Sequence, residues 1–588
     1  MRITSGYLIL AGLVIFLGFT LVSLTERIDE TKKIVDWATN QVARKPLPTY
    51  DPITVRYGDE REYIYDGMLR DDLTPKQLPN KIAKTFVAVE DHRFYQHEGY
   101  DISGILRAFT QNQNDGDKSQ GGSTITQQLA RMVYLSNEKT YTRKIKELLL
   151  SVALERSYSK EELLASYVNH AYFANNAYGI EAASRTYFDK TARSLSWEEA
   201  AYLASIPNNP SLYDPIRFPE NTVKRQKRIL EKLSGIMPSK KTDTKINVSL
   251  HRPPVRYPDY IDAAIRQAVQ LTSERQGISF EESRSYLHRS DAQIDLYLDP
   301  EVQERAKQAI RVLPQPIEGA FVEIDARTLG VTALVGNKSD VPGQLNRAVQ
   351  TYRQPGSAIK PLLVYGPYIE KTDAGLRSLI DGRPICYGGH CPRNSGGQTL
   401  GDVRLVDAVA FSYNTPALHA FETVFDEGLE TIRPFHFSKW SKEDDSYNSA
   451  LGGLKYGVSV LELTDAYTTI ANDGIYSPSS MIKSIKLQDK LIYRHGRKST
   501  RIWSKQTNDT LKDALHAVMT YGTGRLGYAD AGYIGGKTGT TNDNKDMWFV
   551  GLKNQKVGGI WLGADTPRPF PTEANSTLQV RTWARIVR

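Results

Sequence analysis

The stretch "RQPGSAIKP", residues 353–361, places Ser357 three positions before Lys360, with a proline on either side of the pair. On a helix, two side chains at this spacing share a face and can meet. A serine becomes a nucleophile when a nearby base takes its proton, and burial beside another cation favours the neutral lysine that this requires. The pair alone is common by chance, so it predicts a nucleophile only if related motifs follow.

Two related motifs follow downstream. "FSYNTPALHAF" supplies Ser412 and Asn414, and "GGKTGTTND" supplies Lys537, Thr538 and Gly539. Taken singly, the first is also compatible with a turn cap and the second with a glycine-rich hairpin. The order S-x-x-K, S-x-N, K-T-G is the signature of penicillin-binding proteins and serine β-lactamases. Because the K-T-G segment also falls on a predicted strand, the set predicts that Ser357 is a nucleophile.

Residues 296–567 resemble the transpeptidase domain of class A penicillin-binding proteins, in these motifs and in the flanking "NRAVQTYRQPGSAIKP" and "PRNSGG". The resemblance implies that Ser357 attacks the D-Ala-D-Ala carbonyl of a stem peptide, that Lys360 is its base, and that β-lactams acylate the same serine. Ser412 and Asn414 are then expected to relay protons and hold the peptide. The residues expected at the terminal carboxylate are Lys537, Thr538, Gly539 and Thr540. With Tyr413 in place of the aspartate of class A β-lactamases, and no clear deacylating glutamate, efficient β-lactam hydrolysis is not expected.

The first half of the chain carries carboxylates near basic residues. "VAVEDHRFYQHEGYD" contains Glu90, and "RKIKELLL" contains Glu147 behind Arg143 and Lys144. The structural alternative for the first segment is an amphipathic helix with its acidic side chains in water. Between the two lies "QGGSTITQQLA", which is too rich in hydroxyls and amides for a core helix. A carboxylate base opposite a second carboxylate, with cations alongside, suits sugar transfer from a phosphate-bearing donor.

Four blocks, "EDHRFYQHEG", "GGSTITQQ", "RKIKE" and "KEELLASYVN", resemble the peptidoglycan glycosyltransferase domain of the same family, the lysozyme-like fold of glycosyltransferase family 51. The resemblance implies that Glu90 is the general base for the 4-hydroxyl of the lipid II acceptor and that Glu147 assists at the donor diphosphate. A divalent metal, Mg²⁺ or Mn²⁺, is left open for this step, and no cofactor is expected for transpeptidation. The substrate-binding residues implied are Asp91, Arg93, His97, Ser123, Thr124, Gln127, Gln128, Arg143 and Lys144. A fifth block, "RQKRIL", has Gln226 where the family usually has a second arginine.

The N-terminus predicts a membrane anchor. From Gly6 to Leu24 the sequence "GYLILAGLVIFLGFTLVSL" contains no charged residue. A bilayer core of roughly 30 Å needs about 20 apolar helical residues, so this run fits. A cleaved signal peptide is the alternative, but no small-residue cleavage site follows Phe19. We expect a single-pass signal-anchor in a bacterial cytoplasmic membrane, with residues 1–5 inside and the catalytic domains on the periplasmic or outer face, where a polyprenyl-linked substrate is also confined.

Composition limits the partners and the redox chemistry. The formal net charge of +8 is modest for 588 residues. The sequence shows no zinc-finger spacing, no Walker loop and no arginine-rich arm, so nucleic acid is not an expected partner. The two cysteines, Cys386 and Cys391, lie in "CYGGHC". In an oxidising compartment this spacing favours a disulfide over free thiols, and over a metal site that would include His390.

The predicted order is a stalk at 25–52, a mainly α glycosyltransferase domain at 53–235, a linker at 236–295, an α/β transpeptidase domain at 296–567 and a tail at 568–588. The predicted function is a bifunctional peptidoglycan synthase that polymerises lipid II and cross-links stem peptides as a D-Ala-D-Ala transpeptidase or carboxypeptidase. Lipid II, nascent peptidoglycan, β-lactams, activating lipoproteins and division or elongation proteins are the expected partners. The alternative is a transpeptidase or penicillin-binding sensor whose glycosyltransferase domain is inactive or partner-dependent.

Overall fold

Two units make up the computed structural model of the protein. The structure describes residues 36–48, 53–64, 72–101, 123–135, 140–175, 177–237, 246–251, 256–341, 344–387, 389, 391–528, 532–570 and 577–587. Of these, the first unit takes those within Met1–Pro52, Tyr65–Pro253 and His288–Asp291. The second unit takes those within Ile53–Ile64, Pro254–Leu287 and Ala292–Arg588.

The first unit is built from helices, and no β-strand forms among its described residues. Its helices are α1 (Asn80–Glu90), α2 (Ile125–Tyr134), α3 (Tyr141–Ser157), α4 (Lys160–His170), α5 (Ile180–Phe188), α6 (Trp197–Ala204) and α7 (Pro219–Leu233). Helices α2, α4 and α6 begin with capping boxes, in which a Ser or Thr and a Gln or Glu three residues later satisfy the free N–H groups of the first turn. The pairs are Thr124 with Gln127, Ser159 with Glu162, and Ser196 with Glu199. The described part of this unit is mainly helical, as predicted.

Aromatic side chains hold α1 in the core of the first unit. The fully buried ring of Phe86 meets those of Tyr167 and Phe173 edge-on, at centroid distances of 6.1 Å and 6.2 Å. Edge-to-face pairs of this kind contribute about 0.5–1.5 kcal/mol beyond their buried area. Glu90 follows Phe86 by about one helical turn and is the last residue of α1. The packing of Phe86 therefore fixes the position of Glu90 at the end of α1.

Among the described residues of the second unit, the strands form two five-stranded sheets and two short pairs. The strands are β1 (Ile53–Tyr57), β2 (Glu60–Ile64), β3 (Ala292–Leu296), β4 (Glu318–Asp325), β5 (Gly330–Val335), β6 (Leu379–Asp381), β7 (Asp402–Arg404), β8 (Ile475–Tyr476), β9 (Ile482–Leu487), β10 (Lys490–Arg494), β11 (Thr500–Arg501), β12 (Ile534–Thr540), β13 (Asp546–Lys553) and β14 (Lys556–Gly563). One large sheet has the order β12-β13-β14-β4-β5 and is antiparallel throughout. The other has the order β10-β9-β3-β1-β2, in which β1 and β3 run parallel.

Helices cover the antiparallel sheet, whose central strands β13 and β14 are buried on both faces. The helices of this unit are α8 (Pro258–Gln276), α9 (Phe280–Arg289), α10 (Pro300–Arg311), α11 (Gly366–Thr372), α12 (Leu405–Ala410), α13 (Thr415–Thr423), α14 (Phe425–Ile432), α15 (Val460–Ala471), α16 (Lys505–Thr520) and α17 (Leu578–Val587). Strands buried on both faces lose the usual alternation of apolar and polar residues. The architecture agrees with the predicted α/β domain.

Two predicted boundaries differ from the structure. Strands β1 and β2 belong to the second unit, not to a first domain that begins at residue 53, because β1 pairs in parallel with β3. The segment 236–295, predicted as a linker, contains α8, α9 and most of β3. On α8 the fully buried Tyr260 donates its hydroxyl hydrogen to the Val331 carbonyl oxygen at 2.6 Å. These contacts join segments far apart in the chain, so local sequence patterns do not reveal them.

The C-terminal segment is part of the second unit, not the tail predicted at 568–588. Helix α17 lays the buried Trp583 on the antiparallel sheet, where its ring lies 5.0 Å from that of Phe549. A Cβ at Gly551 would lie 2.4 Å from this indole and one at Gly558 would lie 2.7 Å from it. These two glycines make room for the tryptophan, and its contacts pack α17 against the sheet.

The N-terminal predictions are covered by the structure only in part. The predicted anchor at 6–24 lies outside the described residues. Within the described ranges, no helix combines the length and the apolarity needed to cross a membrane. Residues 36–44 of the predicted stalk are helical, and Ala38 and Val42 are buried with the core of the first unit. This part of the predicted stalk therefore belongs to that unit.

Candidate active sites

Ser357 lies in a tight turn in the second unit. The turn Gly356–Ile359 is a 3₁₀ helix, and Lys360 links it to a π-helical turn instead of a regular α-helix. Short π-helical segments inside helices are frequent at functional sites. The buried Tyr467 anchors the turn by donating its hydroxyl hydrogen to the Ala358 carbonyl oxygen at 2.5 Å. Ser357 is half-buried while its neighbours are buried, so the turn presents its side chain at the surface of the core.

Two glycines bring the serine turn against the K-T-G strand β12. A Cβ at Gly539 would lie 2.2 Å from the Pro355 carbonyl oxygen. A Cβ at Gly356, whose φ is 53°, would lie 2.6 Å from the Thr540 carbonyl oxygen. Any larger residue at either position pushes the strand and the turn apart. Gly539 therefore has a positioning role that its place in the K-T-G motif did not reveal.

Lys360 is fully buried and reaches the S-x-N motif. Its Nζ donates to the carbonyl oxygens of Ser412 at 3.1 Å and Tyr413 at 3.0 Å, and to Asn414 Oδ1 at 2.8 Å. All three acceptors are uncharged. Burial, and next the charge of Lys537, hold the pKa of Lys360 well below the ordinary lysine value.

Lys537 joins the third motif to the second. Its Nζ donates to Ser412 Oγ at 2.7 Å and to the Thr538 carbonyl oxygen at 3.0 Å. Burial lowers its pKa to about 7. Ser412 has a φ of 60°, in the left-handed region that non-glycine residues seldom adopt and that recurs at functional sites. The structure thus brings the lysines of two predicted motifs to the serine of the third.

Thr523 is a residue of this site that the sequence did not reveal. Its Oγ1 lies 2.7 Å from Thr538 Oγ1, and its N–H donates to the Ala410 carbonyl oxygen at 3.0 Å. A Cβ at the preceding Gly522 would lie 2.3 Å from that same carbonyl oxygen. The only sequence signal was a threonine between two glycines after a helix. The residue ties the end of α12 to the K-T-G strand.

Asn394 lies in the quoted segment "PRNSGG" and holds the S-x-N motif in place. Its Oδ1 accepts from the N–H groups of Asn414 at 2.8 Å and Thr415 at 3.1 Å. Asn414 Nδ2 in turn donates to the Arg393 carbonyl oxygen at 2.8 Å. The segment resembled the family in sequence, and the structure adds the reason: it orients the amide that faces Lys360.

The first unit holds Glu90 in a chain of hydrogen bonds. Glu90 Oε2 accepts from Gln128 Nε2 at 3.1 Å, and Gln128 Oε1 accepts from the Tyr167 hydroxyl at 3.3 Å. Burial, and next the charge of Glu90, raise the pKa of Tyr167 well above its ordinary value. Tyr167 lies in the block "KEELLASYVN" but was not predicted as a site residue. Gln128 and Tyr167 together fix one oxygen of Glu90.

Glu147 is buried between two cations of its own helix, α3. Its two oxygens accept separately from Arg143 Nη1 and Lys144 Nζ. Lys144 Nζ also donates to Ser123 Oγ at 2.9 Å. The Lys144 side chain is 46% exposed and that of Arg143 is 16% exposed. The cluster carries more positive than negative charge, and Lys144 is the cation that faces solvent.

Asp91 and His97 stabilise the loop that follows Glu90. Asp91 Oδ2 accepts from His97 Nε2 at 2.8 Å and from the N–H of Ile125 at 3.0 Å. Because His97 Nδ1 accepts from the N–H of Gly99 at 3.1 Å, the ring hydrogen lies on Nε2. The buried carboxylate thus ties the loop to the start of α2. That these two residues contact substrate stays a prediction.

Other predicted binding residues are also engaged within the unit. Thr124 and Gln127 form the capping box of α2, and Thr124 Oγ1 donates to the Gly99 carbonyl oxygen at 2.8 Å. Arg93 Nη1 donates to Asp101 Oδ1 at 3.1 Å. These bonds give each side chain a positioning role, and substrate contact by them stays a prediction.

The fifth block lies on α7, where Gln226 has a structural role. It is fully buried, and its Nε2 donates to the Glu198 carbonyl oxygen at 3.0 Å. Its neighbour Arg225 lies over the ring of Tyr213, 5.0 Å from the ring centroid. Burial, and next the charge of Arg225, lower the pKa of Lys232. Gln226 thus replaces the second arginine that the family usually has in this block, while the first, Arg225, is present on the helix.

Cys386 and Cys391 form a disulfide, which confirms the favoured prediction for "CYGGHC". The alternatives, free thiols and a metal site, are wrong for these two cysteines because both sulfurs are bonded to each other. His390 lies outside the described residues. Among the described residues, no group of three His, Cys, Asp or Glu side chains converges as metal ligands do.

Comparisons with known proteins support both catalytic domains. The family model described as "Transglycosylase" matches residues 61–234, and that described as "Penicillin binding protein transpeptidase domain" matches residues 425–561. Penicillin-binding protein 4 of Bacillus subtilis (strain 168) is 36% identical over 98% of this chain and 97% of its own length. Penicillin-binding protein 1F of the same organism is 32% identical, over 99% of this chain and 81% of its own. The crystal structure of penicillin-binding protein 1A from Haemophilus influenzae is 18% identical, covers 92% of each chain and has a TM-score of 0.62, so it shows the same fold.

Proposed function

This chain belongs to the class A penicillin-binding proteins, and from that membership we propose the roles of its residues in two reactions. The protein is a bifunctional peptidoglycan synthase, a glycosyltransferase joined to a transpeptidase. One observation carries the proposed roles: two buried lysines, Lys360 and Lys537, converge on Ser412 beside the turn that holds Ser357. A fold that needed only a stable core would gain more from apolar side chains at both positions.

In the acylation step, Lys360 takes the proton of Ser357 as the serine oxygen attacks the penultimate D-alanine carbonyl of a stem peptide. A neutral amine has two hydrogens for its three acceptors, and a protonated one has three. The three carbonyl-type oxygens around Lys360 are therefore arranged for the ammonium that forms on proton transfer. Burial lowers the pKa of Lys360 and so favours the neutral amine before transfer, and the three acceptors favour the ammonium that the transfer produces.

The second lysine prepares the departure of D-alanine. Lys537 donates to Ser412 Oγ, which leaves the Ser412 hydroxyl hydrogen free to go to the leaving nitrogen. One of the paired hydroxyls of Thr523 and Thr538 donates to the other, and the second hydrogen is available for the substrate carboxylate. Leaving group and carboxylate thus lie on the Ser412 and K-T-G side of Ser357.

The acyl-enzyme is then resolved by a nucleophile. When an amine of a neighbouring stem peptide attacks, a C–N bond forms, the ester bond to Ser357 Oγ breaks, and the amine proton returns to the serine oxygen through Lys360. Water in place of the amine gives the carboxypeptidase reaction. β-Lactams acylate the same serine but lack a leaving group that can diffuse away.

In the first unit, Glu90 removes the proton of the acceptor 4-hydroxyl while Arg143, Lys144 and Glu147 hold the donor diphosphate. One oxygen of Glu90 is fixed by Gln128, and we assign the other to the acceptor hydroxyl. Glu147 keeps the two cations in place, and the net positive charge of the cluster stabilises the departing pyrophosphate. Lys144, the exposed member, contacts the phosphate first.

The residues at Glu147 do not by themselves form a divalent metal site. Both of its oxygens already accept from cations. Among the described residues, Glu147 belongs to no group of three or more His, Cys, Asp or Glu side chains that could hold a metal ion. Mg²⁺ and Mn²⁺ prefer several oxygen ligands, which here the diphosphate would have to supply.

We place the protein at the cytoplasmic membrane through residues 6–24, with both units on the outer face. The support is the apolar run in the sequence and a lipid-linked substrate. Activating lipoproteins and division or elongation proteins are proposed partners by family resemblance. The rival function, a penicillin-binding sensor, has no need of the Glu90 chain or the Glu147 cluster, and these observations favour the enzyme.

Full-length protein in detergent, supplied with labelled lipid II, tests both site assignments at once. Glu90→Gln is expected to abolish glycan chains while labelling with fluorescent penicillin is retained. Ser357→Ala is expected to make chains that carry no cross-links and no penicillin label. Chains at the wild-type rate from Glu90→Gln, or cross-links from Ser357→Ala, would contradict the corresponding assignment.

A further inference from the structure

Three aromatic side chains form a continuous surface beside the S-x-N motif, which we call the aromatic shelf: Phe411, Tyr413 and Tyr521. The ring centroid of Phe411 lies 5.7 Å from that of Tyr413 and 5.7 Å from that of Tyr521. Phe411 is 40% exposed and Tyr521 is 42% exposed, so two of the rings are open to solvent. Single exposed aromatics are ordinary, but contiguous ones beside a catalytic turn mark a contact surface.

Polar contacts hold the shelf in this exposed position. The Tyr521 hydroxyl donates to Asp407 Oδ1 at 3.2 Å, and Arg404 Nε donates to Asp407 Oδ2 at 2.6 Å. Phe411 is held through its backbone, since its N–H donates to the Asp407 carbonyl oxygen at 2.9 Å. The Tyr521 ring and the Phe411 backbone are thus positioned before any ligand arrives, which lowers the entropy lost on binding.

The shelf lies on the side of the site where the leaving group departs. Phe411 and Tyr413 flank Ser412, whose Oγ accepts from Lys537. Tyr521 precedes by two residues Thr523, whose hydroxyl bonds to that of Thr538. Ser412 and Thr538 are the groups assigned above to the leaving nitrogen and the carboxylate. By microscopic reversibility, the attacking amine enters where the leaving amine departs.

We propose that the aromatic shelf binds the amine acceptor of transpeptidation through an apolar group next to its attacking nitrogen. The proposal rests on the transpeptidase function proposed above and adds the acceptor class to it. An aliphatic or aromatic side chain on the acceptor stacks on Phe411 and Tyr521 while its amine reaches the ester carbonyl of acylated Ser357. The amine nitrogen bonds to that carbonyl carbon, the Ser357 ester bond breaks, and the amine proton passes to the serine oxygen.

The test measures how the acyl-enzyme divides between two acceptors and water. Full-length protein in detergent is acylated with a benzoyl-D-alanyl thioester in the presence of D-phenylalanine or D-alanine, which differ by one phenyl group. Chromatography gives the ratio of aminolysis to hydrolysis for each amine. Wild type is expected to favour D-phenylalanine. The double variant Phe411→Ala with Tyr521→Ala is expected to lose about fivefold of that preference, the size of one aromatic contact, with the D-alanine ratio unchanged.

Two controls separate the shelf from the rest of the site. Tyr521→Phe keeps the ring but loses the bond to Asp407 that positions it, so it is expected to keep only part of the preference. Phe280→Ala removes a ring that is 47% exposed on α9 and is expected to change nothing. Labelling with benzylpenicillin reports whether acylation of Ser357 is intact. An unchanged preference in the double variant, or an equal loss with both amines, would overturn the shelf while penicillin labelling still supported the transpeptidase. No labelling of wild type would instead overturn the transpeptidase function, and the shelf with it.

Discussion

The catalytic lysines of the two units differ in their exposure and in their hydrogen-bond partners. In the first unit, Lys144 and Arg143 share the carboxylate of Glu147, and Lys144 remains nearly half exposed. In the second, Lys360 and Lys537 are fully buried and bond to uncharged oxygens. Burial lowers the pKa of Lys537 to about 7, and burial with the charge of Lys537 lowers the pKa of Lys360 well below its ordinary value.

The difference follows from the chemistry each site performs. A cation that holds a diphosphate must carry its charge, and in the first unit the buried Glu147 carboxylate pairs with both Arg143 and the partly exposed Lys144. A lysine that accepts a proton from serine must be neutral at rest, and burial without a carboxylate achieves this at a cost in stability. The same residue type therefore serves two functions according to its partners and its exposure.

In the site of the second unit, the substitution with the largest expected effect is the loss of Lys360, the buried base. Lys360→Met keeps much of the side-chain volume and removes the amine, and acylation by penicillin is expected to fall about 10³-fold. Lys360→Arg is expected to fail similarly, because a guanidinium cannot release its proton to become a base. Acylation rates from fluorescent-penicillin labelling measure this. An arginine variant within tenfold of wild type would show that Lys360 acts as a charge, like Lys144, and not as a base.

The next change separates the serine turn from the K-T-G strand. Gly539→Ala places a Cβ 2.2 Å from the Pro355 carbonyl oxygen, so strand and turn must move apart. Acylation is expected to fall about 10²-fold, since small displacements of catalytic groups have effects of this size. The matched control is Gly401→Ala, where nothing lies within 4 Å of the added Cβ. Equal acylation rates in the two variants would show that this close contact is not needed.

The corresponding change in the first unit removes a carboxylate instead of a cation. Glu147→Gln removes the carboxylate that Arg143 and Lys144 share, and we expect lipid II polymerisation to fall about tenfold or more because the two cations lose this common anchor. Penicillin labelling of the same sample serves as the internal control and is expected to be unchanged. Wild-type polymerisation in Glu147→Gln would contradict the positioning role of this carboxylate.

The smallest expected effect concerns the residue that the sequence did not reveal. Thr523→Val removes the hydroxyl that bonds to Thr538, and acylation is expected to fall about threefold, the value of one uncharged hydrogen bond. Thr523→Ser keeps the hydroxyl and is expected to remain within the error of wild type. A valine variant with the wild-type rate would show that Thr538 holds the carboxylate unaided.

The catalytic residues that belong to short motifs were predictable from the sequence, because each motif lies within a few neighbouring positions of the chain. The sequence predicted Ser357, Lys360, Ser412, Asn414 and Lys537, and the structure brings their three segments together. It also predicted the strands around "GKTGT" and "DMWFVG" from their β-rich composition. Catalytic motifs need fixed residue types at fixed spacing, and such spacing is visible without a structure.

Contacts between distant segments were not predictable in this way. Arg56 on β1 donates to Asp295 on β3 at 2.8 Å, across 239 positions, and neither segment alone indicates this pairing. The same holds for Thr523 beside Thr538, and for Trp583 over two glycines of the sheet. In each case the partner, and not the local pattern, determines the role of the residue.

The pH dependence of penicillin acylation, compared between wild type and Lys537→Met, tests the contrast between the two kinds of lysine most directly. In wild type the rate is expected to rise with pH as Lys360 becomes neutral. Because the charge of Lys537 helps to lower the pKa of Lys360, its removal raises that pKa and moves the rising limb to higher pH, whatever the loss in absolute rate. If the rate of Lys537→Met rises over the same pH range as that of wild type, or over a lower one, this would contradict the account of Lys360 as a base kept neutral by burial and by its neighbouring lysine.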